Sequence, residues 1–307
     1  MSKYFCLFQE RLKDDEVKIV PMASMASLST IRIGGICDLL VYPSSVTSLI
    51  HTLDILTDEH IPYLIVGGGS NLLMQDGYFG GVVVDTVNIK GKSLAGNIGT
   101  FDCGCMLSSA IAFLRSHRLG GAEALSGIPG TVGGAFFGNS GAFGSEISDF
   151  FLSGEFYDTE KRQILTLSGN DIIFGYRFCI LPMPSLILLR ISLLGVAVTV
   201  EESLARVREF NATRRRTQPL EYPSLGSVFK RYNGIGAGFY IDRVGLKGCC
   251  VGGAEISAKH AGFIINRGGA RASDVKSLIN KATEVVSNRM GVTLIPEIRF
   301  SEDAVRR

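Results

Sequence analysis

Two glycine-rich stretches, residues 64–73 (LIVGGGSNLL) and 127–144 (GIPGTVGGAFFGNSGAFG), contain no lysine or arginine. A glycine-rich loop lets the backbone approach a ligand closely and lets successive N–H groups point the same way. Without a lysine, such a loop is not the cradle of a nucleoside triphosphate. It suits a diphosphate held by backbone donors, as in a dinucleotide cofactor. In the first stretch, Leu64, Ile65 and Val66 read as a short buried strand, and Gly67, Gly68 and Gly69 as a tight turn off its end. Gly91-Lys92-Ser93 has the ending of a phosphate loop, but the earlier glycine would fall at 86, which is Thr86, so that pattern fails. Basic residues gather at Arg214, Arg215, Arg216, Lys230 and Arg231. They suit a diphosphate-bearing substrate, or form a solvated helix end.

The order of motifs along the chain is specific. RIGG (32–35) is followed by GGGSNLL (67–73), GIPGTVGG (127–134), NSGAFG (139–144) and FGYR (174–177). RRRTQPLEYPSLGSVFK (214–230), GGAEIS (252–257), HAGFIIN (260–266) and PEIR (296–299) complete the series. In this order they resemble the UDP-N-acetylenolpyruvoylglucosamine reductases, flavoenzymes of peptidoglycan precursor synthesis, over about residues 20–300. No insertion carrying a lid tyrosine is evident, so the chain resembles the shorter, second type of the family.

The resemblance implies noncovalent FAD, NADPH as reductant and a UDP-sugar substrate. It places the cofactor against Gly67, Gly68, Gly69, Ser70 and Asn71, against Gly127, Ile128, Pro129, Gly130 and Thr131, and against Gly133, Gly134, Asn139 and Gly141. Tyr176, Lys230, Arg231 and Arg299 would hold the substrate. Reduction of an enolpyruvyl ether needs a hydride at the terminal vinyl carbon, stabilisation of charge developing toward the carboxylate, and a proton at the neighbouring carbon. By resemblance, Ser227 is the proton donor, and Arg177 and Glu297 serve the carboxylate. A serine is a poor acid unless cations support its alkoxide, and Lys230 and Arg231 are close in sequence. An arginine fork suits a carboxylate on which charge builds up. The chain departs from the family at Gly138, Ser140, Tyr232 and Phe178-Cys179, near the implied site but not at the catalytic positions.

The elements that must position these residues are legible in outline. Residues 1–20 read as an N-terminal helix or arm, and 29–43 as two short strands around a glycine turn. Ser44 or Ser45 caps a helix running to about 60, with Val46, Leu49, Ile50, Leu53 and Leu56 at helical spacing. A strand and turn are expected at 63–70, strands at 81–87, 98–104, 151–157 and 186–199, and helices at 106–118, 202–216, 237–244 and 274–290. VTLIPEIRF at 292–300 reads as a final strand. Strands and helices mix without a regular βαβ rhythm, so the expected class is α+β. The resemblance adds a vanillyl-alcohol-oxidase-type (PCMH-type) FAD-binding domain over 1–200, in two subdomains of about 1–85 and 86–200. It also adds a smaller α+β substrate-binding domain over 201–307, whose last strand returns to the flavin.

Composition excludes several other classes. The chain has 307 residues, 46% of them hydrophobic, and 31 basic against 29 acidic residues, which gives no ground for a nucleic-acid or anionic-membrane partner. The apolar stretch 181–200 is interrupted by Pro182, Pro184 and Arg190, and reads as two buried strands rather than a membrane helix. Seven cysteines without framework or CxxC spacing read as reduced thiols buried as small hydrophobes, with no metal site. Met1 to Phe8 has no secretory pattern, so a cytoplasmic location is expected, with no obligate protein partner. Two alternatives compete. One is a flavin oxidase of the same superfamily acting on an alcohol or sugar, against which stands the lack of a tethering histidine between 61 and 116. The other is a catalytically silent nucleotide-sugar-binding protein.

Overall fold

Seven helices order the chain in the computed structural model, which describes residues 2–306: α1 (Phe5–Arg11), α2 (Val46–Asp58), α3 (Leu107–Ser116), α4 (Val132–Phe137), α5 (Val200–Thr217), α6 (Ala237–Arg243) and α7 (Ala272–Met290). Local chemistry accounts for their starts. Ser45 begins α2 by accepting from the Ser48 amide at 3.1 Å, while Ser48 bonds back to the Ser45 amide. Thr199 and Glu202 form the same reciprocal pair at the start of α5.

Three sheets carry these helices. The first has the order Val17–Ser24, Ile36–Pro43, Tyr78–Asp85, Tyr63–Val66, with its last two pairings parallel. Its strands are buried on both faces. Leu39, Val41, Val82 and Val84 pack with Leu49, Leu53 and Leu56 of α2. The alternate residues Leu40 and Val83 pack on the other side with Met25, Leu28 and Met74. The second sheet is antiparallel, with the order Gln163–Ser168, Phe151–Asp158, Leu186–Leu194, Ile98–Asp102, Lys92–Ala95. It shares its core with α3 and α4. The third sheet, Ser224–Ser227, Phe263–Asn266, Ala254–Ile256, Cys250–Val251, packs α6 and α7 in a separate core. Asp76, from the first part of the chain, accepts from the amides of Ala272 and Ser273 at 2.8 and 2.9 Å, and so caps α7 across the sheets.

Several expectations are corrected. Residues 1–20 hold a helix and the start of a strand. The span 29–43 contains one strand, Ile36–Pro43, because Gly35 packs against the Gly77 backbone and the preceding residues turn away into a 3-10 segment, Met25–Leu28. In 181–200 the buried strand Leu186–Leu194 is followed by an exposed pair, Val196–Ala197, bonded to Leu119–Gly120. VTLIPEIRF is extended, but only Arg299–Phe300 is a regular strand. The seven cysteines are free, and of them Cys6 and Cys250 are exposed rather than buried. Among the described residues, no helix is long and apolar enough to cross a membrane, and no group of three His, Cys, Asp or Glu could hold a metal ion.

Asp85 ends the central strand of the first sheet at 4% exposure. Burial pushes its carboxyl up to about 6, and its one backbone hydrogen bond, from the Val87 amide at 3.0 Å, offsets this only in part. The folded carboxyl therefore ionises later than the unfolded one. Its contribution to stability is complete below the unfolded value and is lost as pH rises through the folded one, by roughly 3 kcal/mol. Asp85→Asn keeps the acceptor for Val87 and removes the titration. In urea unfolding, the variant should match the parent near pH 4 and gain up to ~3 kcal/mol by pH 8. A difference independent of pH would show that Asp85 does not titrate in this window.

Candidate active site

The two glycine loops touch backbone to backbone. A Cβ on Gly68 would lie 2.5 Å from the Gly130 Cα, and one on Gly67 would lie 2.3 Å from the Thr131 hydroxyl. Gly69 has φ +54°, and a Cβ there would lie 1.7 Å from the Leu28 carbonyl. Ser70 fastens the loops by donating to the Pro129 carbonyl at 2.8 Å. Among the described residues, no protein acceptor takes the backbone amides of residues 67–71. Successive free N–H groups beside a second glycine loop form an anion cradle, which is the chemistry a dinucleotide diphosphate requires.

These loops floor a cleft of about 1660 Å³ at the meeting of the three sheets. A drug-sized ligand needs roughly 300–1,000 Å³, so the cleft has room for a dinucleotide and a second ligand. Tyr176 and Arg177, which also line it, form the two-residue turn between strands Ile173–Gly175 and Phe178–Ile180. Arg177 has φ +65°, a conformation held by its side-chain bonds. Its Nε donates to Glu297 Oε1 at 2.9 Å and its Nη2 to the Gly141 carbonyl at 2.8 Å. Its guanidinium also lies 4.9 Å from the centre of the Tyr176 ring. Burial pushes the Glu297 carboxyl up, while Arg177, and then Lys230 and Arg231, pull it back; the net shift is upward.

Ser227 is exposed and lines the same cleft. It ends its strand after Gly226, which has φ +74°. The chain beyond it pairs with the C-terminal segment. Glu297 donates its amide to the Val228 carbonyl at 2.7 Å, and Lys230 donates to Ile295 at 2.9 Å. Arg299 continues that segment, with its amide on the Asn71 carbonyl at 2.9 Å and Nη2 on the Phe137 carbonyl at 3.0 Å.

The cleft thus gathers Arg177, Ser227 and Glu297 with Tyr176, Arg231 and Arg299. The expected residues of the two glycine loops, with Gly141, also line it. Two expected residues do not. Asn139 is 1% exposed, and its side chain is consumed by the protein. Its amide donates to Glu146 and to the Gly175 carbonyl, and its oxygen accepts from the Ser148 amide. It braces the turn that carries Arg177. Lys230 is half-buried and acts on Glu297 through its charge. The basic run is also split: helical rotation turns Arg214 inward to the cleft and leaves Arg215 and Arg216 exposed. Arg214 was marked only as one of the basic cluster, and helical periodicity was an available signal for setting it apart. His260 opens the motif HAGFIIN but was not named as a lining residue; tertiary packing brings it to the cleft, where its Nδ1 accepts from the Gly262 amide at 3.1 Å and burial lowers its pKa.

Comparison with known proteins agrees with this geometry. Residues 37–168 match the family described as FAD binding domain, and residues 218–301 match the C-terminal domain of UDP-N-acetylenolpyruvoylglucosamine reductase. The chain is 41% identical to the UDP-N-acetylenolpyruvoylglucosamine reductase of Caldicellulosiruptor bescii, over 95% of this chain and 94% of that one. It is 36% identical to that of Clostridium beijerinckii, over 97% of each. Among solved structures, it superposes on the UDP-N-acetylenolpyruvylglucosamine reductase from Thermus caldophilus with a TM-score of 0.78 and 31% identity, covering 93% of this chain and 99% of that one.

The loop packing generates a prediction. Gly68→Ala forces a methyl against the Gly130 backbone, a clash whose relief costs about 1–3 kcal/mol. Equilibrium dialysis should find FAD binding weakened by roughly 5- to 150-fold, at one factor of ten per ~1.4 kcal/mol. Gly169→Ala, whose Cβ would meet nothing within 4 Å, should bind FAD normally. Equal affinity in the two variants would mean that the close approach of the loops does not shape the cofactor site.

Proposed function

The chain belongs to the UDP-N-acetylenolpyruvoylglucosamine reductase family, and from that premise we propose that Arg177, Ser227 and Glu297 carry its chemistry. Its fold is α+β, with an FAD-binding part of the vanillyl-alcohol-oxidase type. It is an FAD-dependent oxidoreductase that reduces the enolpyruvyl ether of UDP-N-acetylglucosamine enolpyruvate to the lactyl ether, UDP-N-acetylmuramate, in peptidoglycan precursor synthesis. Family membership displaces the oxidase alternative. The proposal extends to NADPH as reductant, FAD binding over 1–200, substrate binding over 201–307, a cytoplasmic location, and action without an obligate protein or nucleic-acid partner.

The observation that carries the mechanism is that Arg177, Ser227 and Glu297 line the same cleft as the two glycine loops. FAD, when bound, supplies the hydride for the terminal vinyl carbon. Arg177 is already oriented by Glu297 and the Gly141 carbonyl, so its guanidinium stabilises charge developing on the substrate carboxylate without having to reorganise. Losing one such donor typically costs about 10²–10³ in rate. The raised pKa of Glu297 keeps its protonated form within reach, which suits hydrogen bonding to an enol oxygen. Ser227 delivers the proton to the neighbouring carbon, with the charges of Lys230 and Arg231 close by to support its alkoxide. Arg231 lines the cleft and is fixed by its Nη1 on the Gly234 carbonyl at 3.0 Å, which suits it to the substrate diphosphate.

Three outcomes are expected. The purified protein should be yellow, with all its flavin released by acid precipitation. Flavin retained in the pellet would contradict noncovalent binding. Arg231→Ala should weaken UDP-sugar binding more than Lys230→Ala does, and neither should lower FAD retention as much. Finally, anaerobic stopped-flow should separate the half-reactions of Ser227→Ala. Reduction by NADPH should stay within a few-fold of normal. Reoxidation by the enolpyruvyl substrate should slow by ~10²–10⁴, or about 3–5 kcal/mol of barrier, with Ser227→Cys retaining more. Equal slowing of both halves would make Ser227 a positioning residue rather than the acid. A protein that binds the UDP-sugar but turns over in neither half would instead be a silent binder.

A further inference from the structure

Helix α7 starts on Arg271, a residue whose side chain has no acceptor to offer the free amides of a first turn. Half of the usual reciprocal pair is present, because Asp274 accepts from the Arg271 amide at 2.9 Å. The other half comes from 196 residues away in the chain. Asp76 accepts from the Ala272 amide at 2.8 Å with one carboxylate oxygen and from the Ser273 amide at 2.9 Å with the other. Asp76 is itself exposed, so these bonds rather than packing fix its side chain. Desolvation acts to raise its carboxyl, but the Ser273 and Ala272 amides, the Ser273 side chain and the Arg271 charge outweigh it and hold it below the usual carboxylate range. A carboxylate at this end of a helix is also favoured by the helix dipole.

We propose that Asp76 is a positioning residue for the reduction: by capping α7 from the first part of the chain, it fixes the sheet that carries Ser227 relative to the first glycine loop. The inference rests on the reading above, in which FAD binds that loop and Ser227 protonates the substrate. Both ends of the link are firm. Asp76 lies just beyond the glycine loop and Leu72–Leu73, in a segment held on three sides. The Gly35 amide donates to the Gln75 carbonyl, the Ile36 amide to the Gly77 carbonyl and the Gln75 amide to Ser301 Oγ, each at 2.8 Å. At the other end, Ala272, Val275 and Leu278 of α7 are buried in one core with Ile256, Ile264 and Leu225 of the third sheet, and Leu225 belongs to the strand that ends on Ser227. Other ties from the first part of the chain hold strands of this sheet: Thr30 Oγ1 donates to the Ser224 carbonyl at 2.6 Å, and Asn266 Nδ2 to the Ile31 carbonyl at 2.9 Å. Asp76 holds the helix packed with them. A serine, threonine or asparagine at 271 would satisfy the first-turn amides locally. With the acceptor on another sheet, α7 is capped only when the two parts are docked, so the stabilisation is tied to their relative position.

The test compares Asp76→Ala with the double variant Asp76→Ala/Arg271→Ser, which gives the helix a local acceptor. Three quantities are measured: the melting temperature, FAD affinity by equilibrium dialysis, and the limiting rate at which saturating enolpyruvyl substrate reoxidises the reduced, FAD-loaded protein. Asp76→Ala should melt a few degrees lower, as loss of a cap implies. Its reoxidation should slow on the order of 10-fold, since a misplacement of ~1 Å can cost ~10². FAD affinity should stay close to that of the parent. The double variant should regain the melting temperature and remain slow; Arg271→Asn takes the place of Arg271→Ser if melting is not restored. Recovery of both would make Asp76 a helix cap and nothing more. A parental reoxidation rate in Asp76→Ala would show that it positions nothing. A loss of FAD affinity as large as the loss of rate would put its effect in the cofactor loop. Each of these three results overturns the proposal. Asp76→Asn keeps one acceptor oxygen, should fall between parent and alanine in rate, and carries the measurement if the alanine variant does not fold. A parent protein that binds no FAD, or is not reoxidised by this substrate, would instead overturn the reading on which the inference rests.

Discussion

One segment, residues 295–300, ties the chain after Ser227 to the first glycine loop. Along one edge it bonds to the chain after Ser227, through Ile295 with Lys230 and Glu297 with Val228. Along the other it reaches the first glycine loop. The Arg299 amide bonds to the Asn71 carbonyl, the Asn71 side chain donates to the Glu297 carbonyl, and Arg299–Phe300 pairs in parallel with Leu72–Leu73. These bonds are short in space and very long in sequence. Arg177, Ser227 and Glu297 are thus brought to one cleft by the tertiary fold rather than by any local stretch of chain.

The same geometry sets the electrostatics. Arg177 is flanked by two carboxylates, Glu297 at 2.9 Å and Glu146 at 3.6 Å, while Lys230 and Arg231 act on Glu297 from the other side. Burial disfavours the charged Glu297 carboxylate and the cations favour it, and burial prevails. Glu146 is in turn anchored by Asn139, whose side chain also bonds the strand leading into Tyr176-Arg177. An asparagine that does not line the cleft therefore braces the turn of an arginine that does. Arg214 is the contrast: cationic, buried and with no acidic neighbour of its own, it marks a place where the protein alone does not balance its charge.

Much of this was legible beforehand. The glycine loops announced a backbone cradle because few other residue types permit the approach they make. Helix α2 followed from apolar spacing, and its start, at Ser44 or Ser45, from local capping chemistry. The motifs carried the family, and with it Arg177, Ser227 and Glu297. Expectations failed where local pattern and long-range contact disagree. RIGGICDLL looks like two strands, but the Gly35–Gly77 contact between distant backbones breaks the first of them. VTLIPEIRF has strand composition throughout, yet its partners on either side are short and it pairs with them only in part.

By itself, then, the sequence determined which chemistry the chain carries, since residue types and their order are a local property. It did not determine which member of a cluster faces the cleft. Asn139 and Lys230 belong to the right motifs but turn away from the cleft. Arg214 reads like its neighbours Arg215 and Arg216 and is alone turned in. Tertiary structure decided these cases, because the direction of a side chain is settled by packing against residues far away in sequence. The cost of an unpaired buried charge depends on those same distant neighbours.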